Sequence, residues 1–531
     1  MKRILAMLLA TLMVLTLAAC GAGNGNGNAG NANSGNEQST GSGNEQSTGT
    51  GRDSITVATN MIISTIDPWD KSSLQNNQVR TQIYESFYYF NDNTGEYEPR
   101  LATSYDVSEG GKTYTFHLRE DVKFHNGDPM TASDVVYSIG RALEEPSLAS
   151  YTSAIDSYEA VDDSTVNITL KDVNAPFMMN ATWIYIVSEK ACEEAGDSLG
   201  NTAVLCGTGP YYVEEYNPDV QIVLKAFPDY YRGEAAIKTA TFKPIVDNST
   251  GLIAFENGEL DYYNVPTTDW KEISESGKYN TELVAANHIS YFGVNYRGVL
   301  EDVKVREAVA HCIDKAAIVL GAYDGLASQA DCIVNSSYVI GAPTENITYD
   351  YNIERAKELL AEAGYADGVD IGVILTIAGG YFEKMALILQ SSLAEAGITC
   401  TLESMEQASA LAKMGKGDFD IMCAGYSGEY DYDFWKIMTH SSATETSYIK
   451  FALAPASAGI PSAEIDALYD AGAKELDTEK RSEIYKELDD KMMETCTYLP
   501  VFYKQIPYAW NKDLNATTHS NYYMIYEWSW N

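Results

Sequence analysis

The sequence predicts an α/β protein that folds into two lobes. With 531 residues, the chain is too long to form one small core. From about residue 302 onward, amphipathic helices alternate with short apolar strands, a pattern typical of α/β folds. Near the end, residues 499–503 form a predicted strand that returns to the first lobe. We therefore expect two discontinuous lobes joined by crossing segments, an arrangement that suits a hinged cleft.

The chain is strongly acidic, with 36 basic and 75 acidic side chains and a formal net charge of −39. A field of this sign repels phosphate, which argues against nucleic acid as a partner. The hydrophobic content of 45% and the charged content of 21% are typical of a soluble globular protein. Two interpretations of the acidity stay open: a solvated surface that maintains solubility, and a preference for cationic ligands.

The first twenty residues form a predicted targeting segment. Lys2 and Arg3 precede an apolar run over residues 4–18 that is shorter than a normal membrane span. The segment ends in Leu-Ala-Ala-Cys, which fits a bacterial lipoprotein signal with diacylglycerol attached to Cys20; an ordinary secretory signal is the alternative. Residues 21–52 are rich in Gly, Asn and Ser, and we expect a disordered tether because they cannot bury a core. The predicted membrane anchor is thus the lipid on Cys20.

Seven cysteines remain after Cys20 is set aside from the total of eight. No C-x-x-C or other metal-ligand spacing occurs, so the sequence does not support a zinc site. We expect most of these cysteines to behave as small buried hydrophobes. A disulfide between Cys192 and Cys206 is the alternative for that pair.

The most strongly patterned stretch of the first half covers residues 98–141. Tyr114 and Phe116 alternate with polar residues, as in a half-buried strand. Thr131, followed three residues later by Asp134, predicts a capped helix. The helices predicted elsewhere begin near residue 302 or cover residues 79–87, 352–364, 383–396, 463–471 and 479–493. Further strands are predicted at residues 54–60, 166–170, 211–216, 220–224, 241–245, 290–295, 371–377, 398–402 and 419–424.

Several motifs in this order carry a family resemblance. They are TYTFHLRE, VKFHNG and TASDVVYSI within residues 98–141, GTGPY at 207–211, NGELD at 257–261, VREA at 305–308 and YLPV at 498–501. With them, the chain resembles the solute-binding lipoproteins of peptide and nickel ABC importers, the oligopeptide- and dipeptide-binding type of bacterial extracellular solute-binding protein family 5. The resemblance covers nearly everything after the first fifty-odd residues.

The resemblance implies a two-lobed periplasmic-binding-protein-like fold of type II with an extra subdomain, a hinge and a ligand cleft between the lobes. On this basis lobe 1 covers residues 53–304 and 497–531, and lobe 2 covers residues 305–496. The extra subdomain is expected at about residues 98–205.

The strongest candidate for ligand contact is the loop at residues 425–433. It follows the carboxyl end of a predicted strand, where α/β sheets bind ligands, and combines glycines, aromatic rings and three carboxylates. In the peptide-binding members that the chain resembles, this loop offers an acid to the α-ammonium of the peptide, and that position falls on Glu429. Glu is one methylene longer than the usual Asp, and the Asp-Pro that usually follows is replaced, so Asp431 and Asp433 are alternatives. The candidates in this loop are Gly425, Tyr426, Ser427, Glu429, Asp431 and Asp433.

Other candidates come from outside this loop. Tyr291 and Tyr503 lie on strands expected to reach the cleft, and Lys504 is adjacent to the second of them. By resemblance, Asn264 follows a strand start at the cleft, and the loop carrying Ser72, Ser73 and Leu74 approaches the ligand.

The sequence favours a binding protein over an enzyme. Gly425-Tyr426-Ser427-Gly428 lacks the second spacer of a G-x-S-x-G nucleophile elbow, and no H-E-x-x-H occurs. We expect no catalytic residue, metal or cofactor. The resemblance implies a monomeric extracytoplasmic receptor that captures short peptides and delivers them to ABC permease subunits. Two alternatives stay open: the same scaffold for a nickel chelate, haem, a sugar or a signalling peptide, and a secreted glycosidase or peptidase.

Overall fold

The computed structural model describes residues 51–70, 76–196, 206–335, 337, 339–441, 462–520 and 522–531. The predicted targeting segment with Cys20, nearly all of the predicted tether, and the site candidates Ser72, Ser73 and Leu74 lie outside these residues.

The strands are numbered in chain order. They are β1 (Ser54–Thr59), β2 (Tyr88–Asn91), β3 (Glu96–Pro99), β4 (Ala102–Val107), β5 (Thr113–Leu118), β6 (Ile155–Asp162), β7 (Thr165–Leu170), β8 (Tyr211–Asn217), β9 (Gln221–Ala226), β10 (Thr239–Pro244), β11 (Tyr262–Asn264), β12 (Tyr279–Val294), β13 (Ala327–Gln329), β14 (Val369–Ile377), β15 (Ile398–Met405), β16 (Ile421–Ser427), β17 (Tyr498–Asn511), β18 (Leu514–Asn515) and β19 (Ser529–Trp530).

The α-helices are numbered in the same way. They are α1 (Asn77–Ile83), α2 (Ala132–Glu144), α3 (Ala149–Thr152), α4 (Phe177–Ala181), α5 (Glu189–Ala195), α6 (Asn248–Glu256), α7 (Trp270–Glu275), α8 (Val303–His311), α9 (Lys315–Tyr323), α10 (Ile353–Glu362), α11 (Tyr381–Glu395), α12 (Gln407–Met414), α13 (Lys436–Thr439), α14 (Ser462–Lys474) and α15 (Thr478–Glu494).

One eleven-stranded mixed sheet connects most of these elements. Its strand order is β15-β14-β16-β12-β17-β11-β1-β10-β9-β8, and β13 pairs with β17. At its centre the two longest strands, β12 and β17, pair antiparallel over most of their length, with a register shift between Ala285 and Ile289. Strands β4, β5, β7 and β6 form a separate four-stranded sheet, which lies within the predicted subdomain.

The hydrophobic interior divides along these two long strands. The first core takes Val284 from β12 and Tyr508 from β17, together with most apolar residues of the first half. Two further cores contain the β12 residues from Ile289 onward and the first part of β17, including Phe502. The cores therefore change within the strands, whereas the predicted lobe boundaries follow residue 304 and precede residue 497. The exact lobe assignment stays a prediction.

Most predicted elements are present, and their ends follow local chemistry. The carboxylate of Asp134 accepts a hydrogen bond from the backbone N–H of Thr131 at 3.0 Å, which confirms the predicted start of α2. Helix α1 ends at Ile83, so Phe87 lies beyond it, although the sequence placed both residues on one helix. Strands β12 and β17 extend beyond the predicted ranges 290–295 and 499–503, because residues 279–285 of β12 pair with residues 505–511 of β17.

The cysteines after Cys20 are all free thiols. Cys192 and Cys206 are both buried, so the disulfide considered for this pair is absent. Only Cys400 is partly exposed, which confirms that most of these residues are buried hydrophobes. Among the helices that the structure describes, none combines the length and the hydrophobicity that crossing a membrane requires.

Candidate functional site

Strand β16 lies within the large sheet, and the predicted ligand loop begins at the end of this strand. It pairs antiparallel with β12, with Gly425 opposite Ser290 and Ser427 opposite His288. A Cβ atom on Gly425 would lie 2.6 Å from Nε2 of His288 and 3.1 Å from the carbonyl oxygen of Ile289. A side chain at this position would have to displace the imidazole ring of His288, so glycine is favoured there.

The backbone after β16 is held by Asn287, which lies in the irregular part of β12. Its side-chain amide donates hydrogen bonds to the carbonyl oxygens of Gly428 and Glu429 at 3.1 and 2.8 Å. The carbonyl of Asn287 accepts a hydrogen bond from the N–H of Gly428 at 3.2 Å. This clamp fixes the backbone from which the Glu429 side chain projects.

The carboxylate of Glu429 is buried and lies between two aromatic donors. Its Oε1 accepts a hydrogen bond from the hydroxyl of Tyr151 at 3.0 Å, and its Oε2 accepts one from Nε1 of Trp183 at 3.1 Å. The side chain forms part of the wall of two cavities. Two donors of this kind fix the orientation of the carboxylate at the cavity wall.

The next two carboxylates are committed to the protein itself. Asp431 makes a two-pronged ion pair with Arg481, with N–O distances of 2.7 and 2.6 Å, and both side chains are buried. Asp433 accepts a hydrogen bond from the hydroxyl of Tyr485 at 3.2 Å. Burial and the nearby charge of Asp431 raise the pKa of Asp433 to about 6. The geometry thus gives Asp431 a structural partner instead of the ligand contact that the sequence offered as an alternative.

Two cavities meet at Glu429. The first, which we call the acidic cavity, has a volume of about 470 Å³ and also includes Tyr151, Asp431 and Asp433 in its wall. The second is a narrow aromatic cavity of about 80 Å³, in which Trp183 and several tyrosines line the wall. The predicted loop carboxylates are therefore brought together at the acidic cavity.

A third and larger cavity has a volume of about 710 Å³, and we call it the polar cavity. Two predicted site residues, Ser427 and Asn264, line it. It also contains His288, Tyr381 and Lys504. Because it draws residues from β11, β12, β16, β17 and α11, it lies where the long central strands connect the two halves of the chain.

The remaining candidates lie elsewhere. Tyr291 is completely buried and stacks on Tyr498 with ring centroids 4.3 Å apart, so its side chain belongs to a core. Tyr503 donates hydrogen bonds to the carbonyls of Cys332 and Val334, both at 2.8 Å, and lines a separate cavity of about 480 Å³. Tyr426 stacks on Phe434 with centroids 5.7 Å apart.

Sequence reasoning missed several residues of these sites. Tyr151 and Trp183 lie 278 and 246 residues before Glu429, and no local pattern connects them to it. Lys504 could have been selected from the sequence, because neighbouring side chains on a strand point to opposite faces. Since Tyr503 occupies one face, its neighbour had to occupy the other. Within the described ranges, no group of three or more His, Cys, Asp or Glu side chains is arranged to hold a metal ion.

Comparison with known proteins decides the family. The family model described as "Bacterial extracellular solute-binding proteins, family 5 Middle" matches residues 96–448. The chain belongs to this family. The resemblance predicted from the motifs is thereby confirmed.

Individual relatives agree with this family 5 assignment. The glutathione-binding protein GsiB of Salmonella typhi is 27% identical over 480 residues, which cover 87% of this chain and 91% of the relative. The substrate-binding protein CtaP of Listeria monocytogenes has a TM-score of 0.81 and 23% identity, over 90% of this chain and 99% of that one. The DppA protein of Helicobacter pylori, solved with the peptide STSA, has a TM-score of 0.74 and 23% identity, over 90% and 98% of the two chains. These likenesses confirm the predicted two-lobed binding-protein fold, and the named relatives are binding proteins.

Proposed function

We propose that this family 5 chain captures short peptides and delivers them to the permease subunits of an ABC importer. The observation that carries the proposal is Glu429, a buried carboxylate oriented by Tyr151 and Trp183 at the junction of two cavities. Every unmodified peptide begins with an α-ammonium group, which is the natural partner of such a carboxylate. Glutathione, named for the relatives, is itself a small peptide with an ammonium group.

Glu429 is the residue that we assign to the ammonium group. Among the three loop carboxylates, Asp431 is neutralised by Arg481 and Asp433 is bound by Tyr485. Drawing Asp431 toward a ligand would break a buried ion pair, which costs about 3–5 kcal/mol. Gly425, Tyr426 and Ser427 would supply backbone and ring contacts, and Asn264 would contact the ligand through the polar cavity. We do not assign ligand contact to Tyr291 or Tyr503, because both side chains are engaged inside the protein.

The setting of this function is also part of the proposal. We infer a lipid on Cys20 that anchors a monomeric receptor to the outer face of the cell membrane, with the segment before Arg52 as a tether. We also infer that the protein performs no catalysis, which is supported by relatives that carry the names of binding proteins. No resident metal or cofactor is part of this account.

The assignment of Glu429 is tested by competition between two peptide libraries. A tripeptide library with free amino termini competes with an isotope-labelled, N-acetylated copy for the full-length protein, and mass spectrometry counts the retained peptides. We expect a preference of about 30-fold or more for the free amine, because removing one partner of a buried charge pair costs about 2–5 kcal/mol. Glu429→Gln keeps the size of the side chain and should remove most of this preference.

Glu487→Gln is the matched control. Glu487 is exposed on α15, so its substitution removes the same charge without touching either cavity. If both variants lost the preference for free amino termini equally, the preference would depend on the net charge of the protein and not on Glu429. An unchanged preference in Glu429→Gln would move the ammonium contact away from Glu429 while leaving peptide capture intact.

A further inference from the structure

Lys504 places its amino group in the wall of the polar cavity. It lies on β17 opposite the irregular stretch of β12, and its Nζ lies 4.2 Å from the ring centroid of Tyr381 and 5.8 Å from that of Tyr323. Its side chain lines the polar cavity together with His288 and Ser427. The aromatic faces hold the ammonium group in place by cation–π attraction.

This lysine has no anionic partner in the part of the chain that the structure describes. No carboxylate lies within 4.0 Å of its Nζ. Burial lowers the pKa of Lys504 to about 7. Charged groups inside proteins are generally paired, because an isolated buried charge is strongly disfavoured. The position is therefore one at which an incoming anion would be stabilised.

The polar side chains next to Lys504 carry no positive charge that could bind the anion in its place. Nδ1 of His288 lies 2.9 Å from Oγ of Ser427, and its Nε2 lies 3.4 Å from the hydroxyl of Tyr381. Burial, and then the charge of Lys504, hold the pKa of His288 well below its usual value, so the ring is neutral at pH 7. The polar edges of these three side chains could share in orienting an anion beside the ammonium group.

Two other charged residues line the same cavity. Asp324 accepts a hydrogen bond from the hydroxyl of Thr267 at 2.6 Å, so one of its carboxylate oxygens already has a partner. Lys384 is exposed on α11, so water weakens its interaction with a bound group. Of the two cavity lysines, Lys504 is thus the one placed to bind an anion strongly.

We propose that Lys504 binds the C-terminal carboxylate of the captured peptide. This inference rests on the proposed function, since a peptide is what brings both an ammonium group and a carboxylate to the site. The C-terminal carboxylate is the anionic group that all unmodified peptides share, so a receptor for varied sequences can rely on it. In this proposal the peptide extends from Glu429, which lines the acidic and aromatic cavities, to Lys504, which lines the polar cavity, and these two residues set its direction.

The test again uses two peptide libraries and the full-length protein. Tripeptides with free C-termini compete with an isotope-labelled copy that is C-terminally amidated, and mass spectrometry counts the retained peptides. We expect the wild-type protein to prefer the free acid by about 30-fold or more, because truncating one partner of a buried charge pair costs about 2–5 kcal/mol. Lys504→Met should reduce this preference to about twofold or less. Lys504→Arg, which keeps the cation, should retain it. Lys416→Met should also retain it, because Lys416 is exposed and lines none of the cavities described above.

Each outcome separates this inference from the proposed function. A preference that persists unchanged in Lys504→Met overturns the assignment of Lys504, as does a wild-type protein that ignores amidation while it still prefers free amines. A preference that follows acidic side chains instead of the C-terminus also overturns it. Failure to retain any peptide overturns the proposed function together with this inference. Thermal unfolding of each variant confirms that it is folded.

Discussion

The ion pair between Arg481 and Asp431 offers a sharp test of the way in which the ligand loop is held. Arg481 contributes two hydrogen bonds to the carboxylate of Asp431, at 2.7 and 2.6 Å, and one to the carbonyl of Gly472 at 2.9 Å. The two side chains are only 3% and 4% exposed, so water cannot replace these contacts. Arg481→Met would leave Asp431 without a cation, with Asp433 close beside it.

The expected loss of unfolding free energy is about 3–5 kcal/mol at pH 8, the usual result of removing one partner from a buried ion pair. The loss should shrink as the pH falls toward 5. Without the guanidinium, the pKa of Asp433 rises further above the value of about 6 to which burial and the charge of Asp431 already raise it. The folded variant then binds more protons than the unfolded chain between about pH 4 and this raised pKa, so protonation stabilises it.

Urea denaturation of both proteins at pH 8 and pH 5 measures these effects. Asp431→Asn combined with Arg481→Met serves as the control, since it removes the unpaired charge and should recover part of the loss. Arg481→Lys should retain the preference for free amino termini, because Glu429 is untouched. A loss under about 1 kcal/mol that is equal at both pH values would refute this reasoning.

Three further predictions concern other residues near the cavities. Binding of a peptide at pH 7 should take up as much as about half a proton, because burial lowers the pKa of Lys504 to about 7 and a bound carboxylate raises it again. Calorimetry in two buffers measures this proton uptake, and Lys504→Met should abolish it. Gly425→Ala should displace the ring of His288, and the imidazole NMR signals of His288 should shift even when peptide capture persists. Burial raises the pKa of the Asp489 carboxyl to about 7, so this residue should make the protein less stable as the pH rises from about 4 to 7. Asp489→Asn should remove this decline and stabilise the protein above pH 7. Unchanged urea midpoints across this range would contradict the prediction.

Local patterns predicted most of the fold. Strand β5 follows from the alternation around Tyr114, α2 from the pairing of Thr131 with Asp134, and the cysteines from their apolar surroundings. Strands β12 and β17 are longer than predicted. The added residues 279–285 and 505–511 include apolar side chains such as Val284 and Tyr508, and they pair with each other across a long separation in sequence. Which core each half of these strands joins is also a long-range outcome that no window of sequence contains.

The candidate site, like the fold, could be predicted only in part from the sequence. The sequence located the loop after β16, and the structure then separates its carboxylates by partners that are distant along the chain. Arg481 lies 50 residues beyond Asp431, and Trp183 lies 246 residues before Glu429. Tyr291 is a candidate by sequence because its strand is expected to reach the cleft, but its side chain is buried in a core.

The central claim is that this protein captures short peptides. Native mass spectrometry of the full-length protein, purified from cells under conditions that retain bound molecules, tests it most directly. The account predicts a series of added masses that match mixed short peptides, and the series should weaken in Glu429→Gln. A single retained mass that is not a peptide would contradict it, as would a protein that carries nothing and also leaves an added tripeptide library unbound.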